Sequence, residues 1–544
     1  MRRLRESIKR LRAKLFKTPN PRNTIHVPVA SNDSSAASTD NEEDVSDETS
    51  EEALSLPDST NYSASTEGTT SADEEVESAP SLPAPSSQFI SYLNQSKENK
   101  RTPTRDLVKP YLLYENRPRY EFLRPNATID ALANLVPIYD GQESLFKIRT
   151  IDYEKADKDL YLMRLRGRQR EKKPRLAIAK SFEAYQKNFD AFTHGVLAGL
   201  DWSNVVVAGS SAMLPLLSRR RDVHIEDEPT TQNPGEIYYQ NTASSSDIDI
   251  FLYGFDSEDA ATKRIIEIEA LVRKNQHLIS SNALTLRSEN AITFIAPRWP
   301  YRHIQVILRL YKSISEILTG FDVDCSCVAF DGKQVYSSPR GVTAIATRTN
   351  TIDLSRRSPS YENRLWKYRH HNFEVYWEAL DRSRITIDFH EDDVFSIYEG
   401  HTELTGLARL LLSEAVLKKM SRPRGYNHWR MKANLKKLDD GGDPNMVAET
   451  SSGYANHRIP YGLLLTAESV RGTVIEHAKT PYMFGTIQEV TDPKNPKCKW
   501  ELKHKSKTKL RRKVTFIKFN PGRQMIGSFY PLTDDDWTRM AYEP

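Results

Sequence analysis

No segment of the chain restricts the possible folds more than residues 204–253. Its first part is a short β-branched run, Val205–Val207, which ends before Gly209 as a buried strand does when it leads into a tight turn. Ser210 and Ser211 follow, and the apolar residues after them predict a short helix that begins at the turn. A Gly-Ser turn ahead of a helix presents backbone N–H groups and hydroxyls to a phosphate.

The second part of this segment predicts a strand that carries two acids. Side chains alternate across a strand, so Asp247 and Asp249 share one face while Ile248 and Ile250 point to the other. Two carboxylates on one face beside a phosphate-binding turn are typical of a site for a hard divalent cation, Mg²⁺ or Mn²⁺. The alternative interpretation is an ordinary turn followed by an ordinary strand.

This order of motifs resembles the nucleotidyltransferase superfamily of DNA polymerase β. The superfamily pattern is an apolar strand, a Gly-Gly or Gly-Ser turn and a strand with Asp-Xaa-Asp, and the resemblance covers residues 180–385. It implies an α/β (α+β) fold with a polymerase β-like core and a mixed sheet. It also implies that Asp247 and Asp249 hold the metal and that an NTP binds at the turn.

Hydrophobic periodicity predicts the elements around the two motifs. The predicted elements are a helix over 181–199 capped by Gly199, a helix over 257–275, a hairpin of 284–286 with 292–295, a strand over 304–308, a capped helix from Ser313 to Gly320 and a strand over 321–330. Such an alternation predicts an α/β domain. The connection 219–246 is longer than the superfamily usually has, and we interpret it as an insertion, either a lid over the substrate or a disordered loop.

The third acid of two-metal phosphoryl transfer is not obvious in this chain. In simple members of the superfamily it lies on the strand that corresponds to 304–308, where this sequence has Gln305. An amide supplies no charge and cannot act as a base. Asp322 is the candidate replacement, and it shares a face with Asp324 if the following strand begins early. Alternatively, Asp322 ends a helix and Asp324 begins a strand.

Three other segments, 302–309, 320–324 and 356–361, resemble uncharacterised eukaryotic proteins that have a nucleotidyltransferase-like core and often ankyrin repeats. No ankyrin repeat is recognisable in this chain. The resemblance therefore supports the core and supplies no established chemistry.

A cluster of cations follows the predicted core strands. Arg356 and Arg357, with Arg364 and Lys367 in a predicted helix over 361–369, suit contacts to a triphosphate or to nucleic acid. Ion pairing within this basic segment is the competing interpretation.

The N-terminal part differs in composition from the core. Residues 1–17 predict a basic amphipathic helix, which fits an import or nucleic-acid patch, a membrane-surface helix, a mitochondrial presequence or a solvated tail. Residues 18–96 are rich in Ser, Thr and acids and are predicted to be disordered. Residues 97–180 are predicted to form an irregular lead-in with a short helix over 127–133 and a basic helix within 153–180.

Beyond the core at 181–385, three regions are predicted. They are a helical extension over 386–440 with a helix at 402–420, a linker over 441–456 and a β-rich region over 457–544 with strands near 461–465 and 514–519. Basic residues in these regions are candidates for nucleic-acid contacts.

The composition limits the cellular compartments in which we expect the protein. The three cysteines, with Cys325 and Cys327 only two apart, exclude a disulfide framework and match no zinc spacing. No apolar run is long enough to span a bilayer. We therefore expect an intracellular location, nuclear or cytoplasmic, with mitochondrial targeting by residues 1–17 as the alternative.

The predicted function is metal-dependent transfer of a nucleoside monophosphate from an NTP to a hydroxyl of RNA, a nucleotide or a protein. The predicted site comprises the catalytic acids Asp247, Asp249 and Asp322 and the nucleotide-binding residues Gly209, Ser210, Ser211, Arg356 and Arg357. The alternative hypothesis is an inactive nucleotidyltransferase-like module that binds nucleic acid or a protein partner, which Gln305 favours. A membrane-associated scaffold anchored through residues 1–17 is a third hypothesis.

Overall fold

The structure is a computed structural model, and it describes most of the residues between 81 and 384 and short pieces beyond them. The described ranges are 81–95, 104–123, 129–149, 158–165, 175–219, 233–243, 246–278, 283–288, 290–357 and 361–384, with parts of 407–417, 467–472, 482–488, 500–501 and 513–516. All of them belong to the same compact unit. The predicted helix at 1–17, the predicted disorder over 18–80 and the predicted linker lie outside the described residues.

The described elements alternate between strands and helices over most of the chain. The strands are β1 Val136–Pro137, β2 Tyr161–Leu162, β3 Val205–Ala208, β4 Ile248–Tyr253, β5 Thr285–Arg287, β6 Ala291–Phe294, β7 Ile304–Tyr311, β8 Val328–Phe330, β9 Val335–Ser337, β10 Thr349–Thr351, β11 Glu374–Tyr376, β12 Tyr482–Phe484 and β13 Trp500–Glu501. The helices are α1 Phe89–Gln95, α2 Thr104–Leu123, α3 Phe182–Thr193, α4 Ser210–Leu216, α5 Pro234–Thr242, α6 Glu258–Asn275, α7 Ile314–Thr319, α8 Pro339–Thr347 and α9 Tyr361–His370.

Ten strands form one large mixed sheet in the order β1-β9-β8-β3-β4-β7-β6-β5-β12-β13. The central pair β4 and β7 is parallel, whereas β3 is antiparallel to both β4 and β8. A second sheet has the order β10-β11-β2. The predicted α/β class and mixed sheet are therefore confirmed. Among the described residues, no helix combines the length and the apolar character needed to cross a bilayer.

The strand–turn–helix–strand arrangement predicted for residues 204–253 is present. Val205–Val207 are fully buried because β3 lies inside the sheet, and Ala208 at its end pairs with Asp249 near the start of β4. Because β3 and β4 are antiparallel, the turn after β3 and the beginning of β4 lie at the same end of the sheet.

Helix α3 begins where the sequence predicts and ends earlier. Ser181 caps it by accepting a hydrogen bond from the Ala184 amide at 3.2 Å. The predicted C-cap at Gly199 is wrong, because His194 takes a left-handed conformation (φ 54°) and its amide bonds to the Asp190 carbonyl. A residue in this conformation ends a helix, whatever follows it.

The described part of the predicted insertion at 219–246 contains a helix, α5. Asn233 caps helix α5 by accepting from the Gly235 amide at 2.9 Å, with Pro234 in the first turn. Tyr239 of α5 is 1% exposed and packs edge-on against Phe192 of α3, with ring centroids 5.4 Å apart. This part of the insertion is therefore a packed helix, which corrects the prediction.

The predicted helix α7 and its caps are confirmed. Ser313 accepts a hydrogen bond from the Glu316 amide, and Glu316 accepts one from the Lys312 amide at 2.6 Å. The side chain of Glu316 also pairs with Arg309 at 3.3 Å. Gly320 ends the helix as expected.

The strand predicted over 321–330 is limited to β8. Asp324–Ser326 form one turn of 3₁₀ helix instead. The carboxylate of Asp324 accepts a hydrogen bond from the Thr351 amide at 2.7 Å and pairs with Arg340 at 3.1 Å, which turns the chain away from the sheet. The strand does not begin early, so the interpretation in which Asp322 and Asp324 share a strand face is wrong.

The predicted disorder extends too far toward the core. Residues 81–95 include α1, whose Phe89, Ile90 and Leu93 are buried in the main core. The lead-in contains α2, a helix of 20 residues despite Pro110 and Pro118. Proline within a helix is unfavourable, and the two prolines concealed this helix from sequence analysis.

One shorter helix prediction in the lead-in fails, and a second falls mostly outside the described residues. The described part of 127–133 is a turn, in which the Asp130 side chain accepts a hydrogen bond from the Leu132 amide at 2.9 Å. In the basic segment 153–180, the described residues form one 3₁₀ turn at Lys158–Leu160, strand β2 and isolated bridges, and the basic run over 166–173 lies outside the described residues.

The C-terminal region is continuous with the core where the structure describes it. Strand β12 pairs with β5 and extends the large sheet, because β5 offers an unpaired edge. The Ile487 amide donates to the Glu269 carboxylate of α6 at 2.8 Å, and Arg287 donates to the Lys513 carbonyl at 3.0 Å. Residues 514–516 are not in a strand as predicted, and 461–465 lie outside the described residues.

The predicted helix at 402–420 is helical at the residues described between 410 and 417, and Leu410 and Leu411 are buried.

Candidate metal and nucleotide site

The Gly209 turn lies directly against an acid of the predicted site. Gly209 adopts φ 81° and ψ −144°, a conformation that is essentially restricted to glycine. A Cβ atom at this position would lie 3.8 Å from Asp249 Oδ2 and 3.7 Å from Phe321 Cε2. The turn therefore needs glycine for its backbone, and it borders the carboxylate of Asp249 and the ring of Phe321.

The two serines after the glycine have different surroundings. The Ser211 hydroxyl is fully buried and donates to the Ala208 carbonyl at 3.1 Å. The first amides of a helix have no acceptor within that helix. A phosphate at this turn would therefore meet the amides and Ser210 rather than the hydroxyl proton of Ser211.

Asp247 and Asp249 are the distinctive feature of this end of the sheet. Both are partly exposed, and neither carboxylate forms a hydrogen bond or ion pair with any residue that the structure describes. Burial and the neighbouring charge of Asp247 raise the pKa of Asp249 well above its usual range, while Lys367 and Arg364 act in the opposite direction. The protein alone therefore disfavours the ionised form of Asp249, and a bound cation would stabilise it.

Gln305 lies next to Asp249 on the parallel strand β7, in register with it. Neighbouring strands are about 4.8 Å apart, so registered side chains on one face are close. Gln305 is partly exposed and adds a neutral amide oxygen beside the two acids. Gln305 lies on the strand where the resemblance places the third acid, and its amide supplies no charge.

Asp322 is buried in an ion pair. Its side chain is 1% exposed, and its Oδ2 is 2.6 Å from a guanidinium nitrogen of Arg364. Within the described ranges, no group of three or more His, Cys, Asp or Glu side chains is placed to hold a metal. The role of Asp322 as a third catalytic acid stays a prediction.

The donor atoms fit a hard divalent cation. Asp247 and Asp249 offer carboxylate oxygens, and Gln305 offers an amide oxygen. Mg²⁺ is commonly bound through one or two carboxylates together with substrate phosphates, rather than by a cage of protein ligands alone. The two acids beside the Gly209 turn match that arrangement.

Arg356 and Arg357 are not at the site surface. Arg356 is 5% exposed and pairs with Glu115 and Asp353 at 3.3 and 3.0 Å. Arg357 is 6% exposed and pairs with Glu362 at 2.6 Å. Because protein acceptors already occupy these guanidinium groups, the geometry favours the ion-pairing interpretation over nucleotide binding for both arginines.

Sequence analysis missed Arg302, which supports the segment that leads to Asp247. This arginine is 1% exposed, and it donates to the carbonyls of Ser246 at 2.7 Å and Ala243 at 2.6 Å. It also donates to the Phe192 carbonyl at the end of α3. A cation at helix C-termini satisfies carbonyls that otherwise lack donors. No pattern in the sequence indicates this contact, because its acceptors are distant in the chain.

Comparisons with known proteins give similarity over about a third of the chain. Residues 183–348 match the Gad2 family, described as Gabija anti-defense 2 family proteins. An uncharacterised protein of Acanthamoeba polyphaga mimivirus is 34% identical over 181 residues, which are 31% of this chain. The chain spans 38% of that relative's length. No solved structure is significantly similar to the chain.

The family match includes the Gly209 turn, Asp247, Asp249 and Asp322. It ends before α9, so Arg364 and Lys367 lie beyond it.

Proposed function

We propose that this protein is a metal-dependent nucleotidyltransferase with a polymerase β-like core, which transfers a nucleoside monophosphate from an NTP to a hydroxyl group. The observation that carries the proposal is the pair Asp247 and Asp249. Asp247 directly precedes β4, Asp249 is the second residue of β4 and borders the Gly209 turn, and neither carboxylate has a partner in the described part of the chain. A pair of acids kept without a protein partner opposes folding unless it has a ligand to bind.

The proposed reaction needs little covalent chemistry from the protein. The acceptor hydroxyl oxygen forms a bond to the α-phosphorus while the bond from that phosphorus to the pyrophosphate oxygen breaks. The hydroxyl proton passes to a carboxylate oxygen of the site and then to water, and pyrophosphate leaves with the bonding electron pair. A divalent cation, when bound, would neutralise phosphate charge and lower the pKa of the acceptor hydroxyl.

The chain's own residues would position the reactants. Asp247 and Asp249 would hold the cation, and the amides of the Gly209 turn with Ser210 would bind phosphate oxygens. Arg302 would keep the connection to Asp247 in place through the Ser246 carbonyl. This distribution assigns orientation and charge to rigid elements of the sheet, which is where catalytic geometry is best held.

The experiment that tests this proposal uses the full-length chain with each α-labelled NTP, Mg²⁺ or Mn²⁺, and RNA, nucleotide or protein acceptors. We expect label transfer and pyrophosphate release that require metal and are lost in the Asp247→Asn/Asp249→Asn variant. Lys263→Gln on the exposed side of α6 is the matched control and should retain activity. Turnover that persists in the double variant would contradict the proposal.

Gln305 favours a second candidate function, an inactive nucleotidyltransferase-like module that binds nucleic acid or a protein partner. Its neutral amide stands in register with Asp249, where a carboxylate would strengthen metal binding. Binding of an NTP or RNA without label transfer, under every metal and acceptor condition, would favour this candidate over the enzyme.

The family match suggests a biological setting for either activity. The matched description names Gabija anti-defense, and the matched segment holds Asp247 and Asp249. We include in the proposal that the chain counteracts such a defence through this site. Infection of cells that carry a Gabija defence should become productive when the wild-type chain is expressed, and the Asp247→Asn/Asp249→Asn variant should not restore infection.

A further inference from the structure

Helix α9 carries two cations that differ from the other basic residues near it. Arg364 and Lys367 are three residues apart, so they lie on the same side of the helix. Both are partly exposed, whereas Tyr361, Leu365 and Tyr368 of the same helix are buried in the core. Their charged groups therefore lie at the boundary between the core and the solvent.

A short chain of contacts connects this boundary to the candidate site. The Phe321 ring and Asp249 Oδ2 both border Gly209, at 3.7 and 3.8 Å from the position of its Cβ. The next residue, Asp322, pairs with Arg364 at 2.6 Å. The guanidinium of Arg364 thus forms an ion pair with Asp322, which directly follows Phe321, the residue whose ring borders the Gly209 turn.

The two side chains of the ion pair between Asp322 and Arg364 differ in their exposure to solvent. The Asp322 side chain is 1% exposed and the Arg364 side chain is 21% exposed, so the carboxylate lies inside and the guanidinium lies outside. The Arg364 side chain stays partly exposed while it pairs with Asp322, and a guanidinium binds phosphate through several donors of its planar fork. Asp322 is therefore placed to orient Arg364 rather than to meet a metal itself.

Electrostatics support the same placement. Lys367 and Arg364 both lower the pKa of Asp249 against the larger effects of burial and of Asp247. Both cations therefore lie within electrostatic range of Asp249. Arg356 and Arg357, by contrast, are buried and ion-paired.

We propose that Asp322 is a positioning residue that holds Arg364, and that Arg364 and Lys367 form the subsite for the outer phosphates of the donor nucleotide. This inference rests on the proposed function and assigns its substrate contacts. It replaces the predicted roles of Asp322 as a third catalytic acid and of Arg356 and Arg357 as nucleotide ligands. The α-phosphate would lie at the acid pair, and the leaving pyrophosphate would lie against α9.

The test measures binding of inorganic tripolyphosphate to the full-length chain by calorimetry in EDTA, where no metal contributes. Arg364→Gln and Lys367→Gln should each weaken binding about tenfold, as expected for loss of a charge-assisted contact. Asp322→Asn should weaken it to a similar degree. Lys263→Gln, which removes an exposed cation from α6, is the matched control and should change affinity less than about twofold.

A double variant separates positioning from direct contact. Because Asp322 acts through Arg364, the Asp322→Asn/Arg364→Gln chain should bind tripolyphosphate no more weakly than Arg364→Gln alone. A further loss in the double variant would overturn the positioning role. If Asp322→Asn does not fold, Asp322→Glu makes the same comparison, because it keeps the charge and displaces it by one methylene.

The outcomes distinguish this inference from the proposed function. Wild-type affinity in Arg364→Gln and Lys367→Gln overturns the subsite, whatever the turnover, and so does wild-type protein that binds no tripolyphosphate. Binding that depends on both cations without label transfer from any NTP overturns the enzyme and leaves the subsite standing. Unchanged tripolyphosphate affinity in Asp322→Asn, with a higher Mg²⁺ requirement for turnover, returns Asp322 to the role of third metal acid.

Discussion

Two Asp-Xaa-Asp sequences in the same domain differ in their burial and in their ion pairs. Asp247 and Asp249 lie at the start of a sheet strand, partly exposed and without a partner among the described residues. Asp322 and Asp324 lie in an irregular segment before β8, where each is buried against an arginine, at 2.6 and 3.1 Å. The motif is the same, and the environment decides whether the acids serve binding or structure.

The difference arises from the cations that the fold brings to each pair. Arg340 of α8 contacts Asp324 and Glu115 and donates to the carbonyls of Leu318 and Phe321, so it fixes the segment that contains the second pair. No described arginine or lysine forms an ion pair with the first pair. A buried acid with an arginine is a structural element, whereas an accessible acid without one is available to a ligand.

The largest expected effect is the loss of stability when the second pair is broken. Asp324→Ala leaves Arg340 with Glu115 as its remaining acid, and we expect a loss of about 3 kcal/mol in the free energy of unfolding. Urea unfolding of the full chain measures it. Glu267→Ala, which removes an exposed partner of Arg264, is the control and should leave the midpoint unchanged. A loss no larger than that of the control would contradict the structural role.

The next effect concerns the turn beside the first pair. Gly209→Ala places a side chain on a backbone at φ 81° and ψ −144°. We expect it to destabilise the protein by about 1–3 kcal/mol, because that conformation is strained for any residue with a Cβ. Gly472→Ala, where no atom lies within 4 Å of the added Cβ, should not destabilise it. Equal stability of the two variants would show that the turn is not constrained as described.

Adding a carboxylate to the first pair should increase its affinity for metal. Gln305→Glu places a third acid in register with Asp249, and ligand charge is a main determinant of affinity for hard cations. We expect Mn²⁺ to bind about tenfold more tightly, and the metal-free protein to become less stable through repulsion. Calorimetric titration with Mn²⁺ checks the first effect. Unchanged affinity would argue that the amide does not face the metal.

The smallest expected effect is on stability when the first pair is neutralised. Burial raises the pKa of Asp249, which means that its ionised form opposes folding at neutral pH. In EDTA at pH 7, Asp249→Asn should therefore leave the free energy of unfolding within about 0.5 kcal/mol of wild type or raise it. A loss of stability comparable to that of Asp324→Ala would mean that Asp249, like Asp324, stabilises the fold.

Sequence analysis identified the elements whose signals are local. The Val205–Val207 run, the glycine turn and the alternation around Asp249 depend on neighbouring residues, and all three are present as expected. The capping box at Ser313 is similarly local.

The failures are non-local. Arg340 lies 16 residues after Asp324, and Thr351 lies 27 residues after it, so nothing near Asp324 in the sequence indicates a buried ion pair. Helix α2 contains two prolines and is held partly by the contact between Glu115 and Arg340. Strand β12 finds its partner β5 almost 200 residues away, so the pairing is not encoded in either strand alone.

The most direct test of the central claim is a titration of the full-length chain with Mn²⁺, followed by electron paramagnetic resonance in the presence of a non-hydrolysable NTP analogue. Wild type, Asp247→Asn/Asp249→Asn and Asp322→Asn would be compared at a nucleotide concentration that saturates each of them. We predict that Mn²⁺ binding is lost in the first variant and remains within about twofold of wild type in the second. Retained binding without Asp247 and Asp249, or binding lost with Asp322 alone, would contradict the account.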